Sequence, residues 1–226
     1  MFKQFLLLIK ATLFPIYCVE CGAEGEWWCK KCLARQEKCF GEFEASASSL
    51  DGAFAFLPYL EQVPAGKLIR AFKYNFASDI ENVWHKVIVH SEKFDNFAKQ
   101  ISTENCMIVP VPLHHRRERE RGYNQADVIA RIVAKNCWQN KIPVKTYLLR
   151  VRYTAQQAKL NKKEREHNVL DAFIWQKGIP CPENIILVDD VFTTGATLES
   201  CAQAVRAAGA KKVFVITLGR AVFSKL

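Results

Sequence analysis

The sequence predicts an α/β protein, a parallel sheet covered on both faces by helices and preceded by a small four-cysteine module. Three observations predict it. Short apolar runs such as Ile185–Val188 and Val213–Leu218 alternate with helical stretches of about three turns. Two Cys-x2-Cys pairs stand ahead of the first such run. Half of the 226 residues are apolar and 24% are charged, which excludes disordered and low-complexity classes and gives one or two domains with a sizeable core.

At the N-terminus, Phe2–Ile9 is apolar, but Lys10 interrupts it before Leu13, short of the ~20 residues a membrane span needs. No small-residue cleavage site follows. The segment reads as an amphipathic or packing helix of a cytoplasmic protein with no integral membrane segment, and Pro15 ends it. The nine cysteines then divide in two. Cys39, Cys106, Cys137, Cys181 and Cys201 are single, and an odd total argues against a disulfide framework. Cys18, Cys21, Cys29 and Cys32 form two knuckles whose thiolates complete the tetrahedral shell of a closed structural Zn2+ site. A catalytic zinc needs an open position, which four thiolates do not leave. The expected organisation is therefore an N-terminal helix and zinc-binding module over residues 1–45 and a second domain over residues 46–226.

The polar, small-residue stretch Glu42–Gly52 reads as the linker between them. Beyond it, Ala53–Leu57 is a predicted strand, followed by helices over Pro64–Tyr74 and Ile80–Ser91. Cys106–Val111 is a short buried strand. Ala126–Cys137 is a helix with Val128, Ile129, Ile132 and Val133 on one face. Val144–Leu149 and Ile185–Val188 are further strands, and Ala196–Ala208 is a helix ended by Gly209 before the last strand, Val213–Leu218.

The formal net charge is +9, and its placement says more than its size. Pro112–Arg165 carries 14 Lys and Arg against four acids, so the whole excess lies in one quarter of the chain. Such a field concentrates phosphates, pyrophosphates or nucleic acid near one surface; a block of basic residues is also what a plain solvated face looks like, so a site must stand beside it.

That site is Ile185–Thr197, IILVDDVFTTGAT. A buried strand ends in two carboxylates, enters a Thr-Thr-Gly loop and opens a helix. In a parallel sheet ligands bind at the carboxyl ends of the strands, and the free amides of a tight loop entering a helix form an anion cradle. Gly195 permits a close backbone approach, and Thr193, Thr194 and Thr197 add hydroxyl donors. Asp189 and Asp190 make sense if the ligand presents a phosphate on one side and hydroxyls or a cation on the other.

This segment resembles the phosphoribosyl-pyrophosphate (PRPP) loop of type I phosphoribosyltransferases. The resemblance implies that Asp189 and Asp190 hold the ribose hydroxyls while Val191, Phe192, Thr193, Thr194, Gly195, Ala196 and Thr197 wrap the 5′-phosphate. Val109–Gln125 (VPVPLHHRRERERGYNQ) is placed like that family's pyrophosphate loop. Arg150–Phe173, with Arg150, Arg152, Thr154, Gln157, Leu160, Arg165 and Asn168, is placed like its mobile catalytic loop. With the cysteine knuckles in front and Lys73-Tyr74 between, the chain resembles the ComF family of competence-associated phosphoribosyltransferase-like proteins, also called GntX-like. The resemblance covers nearly the whole chain.

The resemblance implies a type I phosphoribosyltransferase fold behind the zinc module, with PRPP and Mg2+ as ligands. It also implies a role in natural transformation on incoming single-stranded DNA in the cytoplasm, alongside DNA-uptake or recombination proteins. The alternative it leaves open is an active phosphoribosyltransferase on an unknown small-molecule or nucleobase acceptor. Oxopurine salvage is disfavoured, because Thr193 stands where those enzymes carry an Asp. The candidate catalytic residues are Asp189, Asp190 and Arg121, with Arg121, Asn124 and Lys73 as further PRPP contacts. Arg121-Gly122-Tyr123-Asn124-Gln125 matches the ComF pattern, whereas the alternation of Arg and Glu over 117–121 suits either a pyrophosphate grip or a salt-bridged surface. Tyr123 and Tyr153, inside basic stretches, are candidates for stacking on DNA bases, and His114-His115 is the one adjacent histidine pair.

Overall fold

In the computed structural model, which describes residues 15–36, 41–45, 48–74, 78–152 and 172–222, the fully apolar runs are the inner strands of a five-stranded sheet. The first half of the chain supplies α1 (Lys30–Arg35), β1 (Gly41–Phe43), β2 (Gly52–Tyr59), α2 (Pro64–Tyr74), α3 (Ser78–Val87) and α4 (Glu92–Ala98). The second half supplies β3 (Cys106–Pro110), α5 (His115–Arg121), α6 (Gln125–Trp138), β4 (Leu148–Arg150), β5 (Phe173–Trp175), β6 (Asn184–Phe192), α7 (Ala196–Ala207) and β7 (Lys212–Ala221). The sheet order is β1-β2-β7-β6-β3, with every pairing parallel except the antiparallel edge β1–β2. The molecule is thus an α/β protein with a mostly parallel sheet, as its sequence predicts.

Alternation along the strands makes two cores. Ile186, Val188, Phe214 and Ile216 face a layer that includes Phe72, Trp84 and Ile129 of α2, α3 and α6. Ile185, Leu187, Val213 and Val215 face the other side, with Leu198 and Val205 of α7. This parity also sends the two adjacent carboxylates after Val188 toward different layers. The cysteine module packs on the first layer: Trp28 is fully buried in the same apolar cluster as Phe72 and Trp84. Glu26 pairs with Lys86 of α3 at 2.9 Å, and Lys67 of α2 donates to the Val19 carbonyl at 3.5 Å.

Several expected elements differ. Glu42–Gly52 is not wholly a linker, since Gly41–Phe43 pairs with Ala53–Ala55. The helix expected over Ile80–Ser91 already ends at Val87, and Ser91 caps the next helix instead of closing this one: its Oγ accepts from Phe94 N at 3.1 Å. Val144–Leu149 is no continuous strand. Val144 makes only an isolated parallel bridge to Ile108, and Leu148–Arg150 pairs with Phe173–Trp175 in a separate antiparallel ribbon. The basic stretch after β3 is helical over His115–Arg121, capped by His114, whose Nδ1 accepts from Arg116 N at 3.2 Å. Gly122 closes it in the left-handed conformation at φ 77°. β6 runs past the acids to Phe192 instead of stopping at Val188. No described helix is long and apolar enough to cross a membrane. The helix expected over Phe2–Ile9 lies outside the described residues.

Candidate functional site

The carboxyl ends of β6, β7 and β2 converge with the end of α2. Asp190 lies on the α2 side of the sheet, and Lys73, in the last turn of α2, reaches it with Nζ 2.8 Å from Oδ2. Both side chains are mostly buried, 24% and 12% exposed. Burial alone would pull the Lys73 ammonium down. The attraction and hydrogen bond of Asp190, reinforced by Asp189, outweigh it and carry Lys73 above its ordinary range.

Asp189 lies on the opposite face, opposite Thr217 in the ladder. Burial raises its carboxyl most, and repulsion by Asp190 adds to this; the hydrogen bond from Asp190 N at 2.8 Å and the fields of Lys73 and Arg150 pull the other way. The balance puts it at about 7. Two adjacent acids are therefore served by two cations from different directions, Lys73 on α2 and Arg150 at the end of β4.

The loop after Phe192 is shaped for close approach. Gly195, at φ 80°, is the residue before α7, and a Cβ there would lie 2.6 Å from Phe192 Cζ. Phe192 in turn meets Phe43 of β1 edge-on, with ring centroids 4.9 Å apart. The Arg220 guanidinium lies 4.1 Å from the centre of the Phe43 ring. The expected linker thus buttresses the loop. Thr193 and Thr194 stand exposed, while Ala196 and Thr197 are half-buried.

Lys73, Asp189, Asp190 and the 191–197 loop therefore come together. Arg121 donates Nη1 to Gln125 Oε1 at 3.0 Å. Asn124 uses its whole amide on backbone, accepting from Ala126 N at 3.1 Å and donating to the Val111 carbonyl at 3.0 Å. It shapes the β3–α6 connection. Tyr123 is anchored at the core: its hydroxyl donates to the Phe72 carbonyl, and its half-buried ring packs 5.6 Å from Phe72. Tyr153 and the Thr154–Asn168 candidates lie outside the described residues. Sequence reasoning missed Tyr59, at the end of β2, where burial raises its phenol and the charges of Lys73 and Asp190 bear on it. Its one signal was a place at a strand's carboxyl end.

The four cysteines also converge. Their sulfurs all lie within 4.8 Å of one another, with Cys21 and Cys29 Sγ 3.7 Å apart, near the ~3.8 Å that tetrahedral Zn–S bonds of ~2.3 Å require. Cys29 N donates to Cys18 Sγ at 3.4 Å. Arg35 donates to Cys32 Sγ at 3.1 Å while pairing with Glu20 at 3.1 Å. Such outer contacts orient thiolate ligands and offset their charge. The cluster could bind zinc.

No family model matches the chain. Competence protein F of Haemophilus influenzae is 29% identical over 211 residues, 92% of this chain and 86% of that protein. DNA utilization protein YhgH of Salmonella typhi is 36% identical over 113 residues, 50% of this chain and 48% of that protein. Over nearly its whole length the chain is thus similar to a competence protein. The chain spans most of competence protein F but under half of the Salmonella typhi YhgH. The structure of the allosteric regulatory enzyme of purine biosynthesis aligns at a TM-score of 0.38 and 18% identity, over 66% of this chain and 30% of that one. So partial a likeness carries no weight here.

Proposed function

We propose that this chain binds PRPP with Mg2+ at Asp189–Thr197 and acts in natural transformation, handling incoming single-stranded DNA in the cytoplasm. The observation that carries this reading is the acid pair seated on Lys73 at the mouth of the exposed Thr-Thr-Gly loop. The names of the relatives, a competence protein and a DNA utilization protein, support the second half.

The site's chemistry follows from its parts. Loop amides and the Thr193, Thr194 and Thr197 hydroxyls receive the 5′-phosphate, which suits donors held without a side chain at Gly195. Asp189 and Asp190 accept from the two ribose hydroxyls. Lys73, 2.8 Å from Asp190 Oδ2, fixes the direction in which that carboxylate faces the ligand. Among the described residues the cysteines are the only group of metal-ligating side chains close enough to cage an ion, so Mg2+ would arrive on the ligand's phosphates, as it commonly does. It would neutralise leaving charge on pyrophosphate. Arg150, whose field reaches Asp189, supplies fixed positive charge beside the acids, and Arg121 is the candidate cation of the β3–α6 connection.

The four cysteines hold zinc and fix the N-terminal module over residues 1–45, ahead of the 46–226 domain. A second reading, transfer of the phosphoribosyl group to an unknown small-molecule or nucleobase acceptor, is favoured by the intact acid pair. The test is calorimetry and thermal shift with Mg2+ and PRPP. At a hundred times Kd the ligand should add about 2.7 kcal/mol of stability, and Asp189→Ala with Asp190→Ala should abolish the shift. Unchanged affinity in the double variant would overturn the assignment. Pyrophosphate release on adding candidate acceptors separates turnover from binding alone.

A further inference from the structure

A cavity of about 670 Å3 opens beside the proposed PRPP site, between the Pro110–Leu113 turn, the starts of α5 and α6, and the Leu148–Val151 strand. That volume is in the range of small-molecule sites, ~300–1,000 Å3. Its apolar lining includes Pro112, Leu113 and Val128. From the hairpin come Leu149 and Val151, which stand 40% and 50% exposed, large apolar side chains in solvent at one spot.

Its charge differs from its surroundings. Although the cavity sits in the basic quarter of the chain, its lining is balanced: Arg131 on α6 is paired with Asp127 at 3.0 Å, and Glu118 and Arg150 add one charge of each sign. With no net positive charge, the lining gives a phosphate less attraction than an uncompensated cationic surface does. Arg116 and Arg119 lie exposed on α5, the helix that brings His115 and Glu118 to the cavity, with Arg116 paired to Glu120 at 3.3 Å. His115, exposed and lining the cavity, rests its ring against that of His114 with centroids 3.9 Å apart. Anionic and neutral parts of one ligand thus have separate places: a surplus of exposed cations on α5 outside, a charge-balanced, largely apolar slot with an aromatic edge inside.

Resting on the DNA reading above, we propose that this cavity is a nucleobase subsite, receiving one unstacked base of a single strand whose phosphates run along α5. Single-strand binders combine a cationic track with side chains on which bases stack, and here the two features adjoin. Leu149, Val151 and His115 contact the base; Arg116 and Arg119 contact the backbone. No hydrogen-bond code is implied, so any base enters.

The test compares two fluorescent 12-mers by anisotropy at low salt, one of thymidines and one fully abasic with the same phosphates. Wild type should bind the base-bearing strand about tenfold more tightly, the loss of one stacking contact being on that order. Leu149→Ala with Val151→Ala, or His115→Ala, should remove most of that preference while leaving abasic binding unchanged. Leu149 and Val151 are exposed enough for truncation to spare the fold, and unchanged abasic affinity confirms it. Equal binding of both strands by wild type would overturn the subsite and leave DNA binding standing. Binding of neither strand would overturn the DNA reading itself, and the subsite with it.

Discussion

Replacing Asp189 by Asn should stabilise the folded protein at neutral pH, and the gain should disappear in acid. The Asp189 carboxyl holds its proton to about 7 in the folded chain, against an ordinary 3.8. Below the lower value both folded and unfolded chains keep the proton, and nothing distinguishes them. As pH rises from there to about 7, the unfolded chain releases a proton that the folded chain retains, so folded stability falls. At ~1.4 kcal/mol per pH unit the window amounts to about 4 kcal/mol. Asn keeps the acceptor that Asp190 N uses at 2.8 Å, but burying its amide costs ~1–3 kcal/mol. The variant should gain about 2 kcal/mol at pH 7.5 and lose about 2 kcal/mol at pH 4, where only the amide cost is left. Urea unfolding of both proteins at the two values reads this directly. A difference that does not change with pH would refute the reasoning, since only a proton-linked cost has this window.

The other expectations follow from contacts already described. Purified protein should contain about one Zn2+ per chain; Cys18→Ser with Cys21→Ser should lose it and lower Tm while the sheet keeps its circular dichroism, and zinc retained by the double variant would count against the site. Phe43→Ala should cost about 3 kcal/mol, as for a buried ring at a sheet edge, and weaken PRPP binding because Phe192 loses its support. Phe43→Leu should restore most of both, and PRPP affinity indifferent to Phe43 would show that the loop stands alone. Replacing Arg116, Arg117 and Arg119 together by Ala should weaken single-stranded DNA binding at low salt and reduce the slope of log affinity against log salt by about 2, at ~0.7 per phosphate contact. An unchanged slope would place the strand elsewhere.

The sequence spoke most clearly where apolar period and punctuation agreed. Pro64–Tyr74 starts with a proline and carries helical spacing, and its bounds in the structure are the expected ones. Ile185–Val188 and Val213–Leu218 were legible because strands buried on both faces are apolar throughout. Gly41–Phe43 was not, since three residues are too few to show a period and its partner strand decides the matter. Ser91 serves equally as the end of one helix or the cap of the next; Phe94 and Phe97, buried against the sheet, settle it in favour of the cap. At the site, the loop and its acids could be read from one continuous segment. The Lys73–Asp190 contact joins residues far apart in the chain, and no local pattern announces it. Tyr123 looked like a surface ring because its neighbours are charged, yet Phe72 claims it.

The position of β2 in the sheet has a consequence for how the chain is made. β2 emerges early from the ribosome, but its parallel partner is β7, the last strand, with Phe54 opposite Ile216. Until the C-terminal residues are released, Phe54, Phe56 and Leu57 have no neighbour on that edge, and loop closure of such length is slow. The nascent chain therefore carries an exposed aromatic strand through most of its synthesis, a substrate for chaperones. A stop codon before Lys212 would remove the sheet's middle strand and leave two halves that cannot meet.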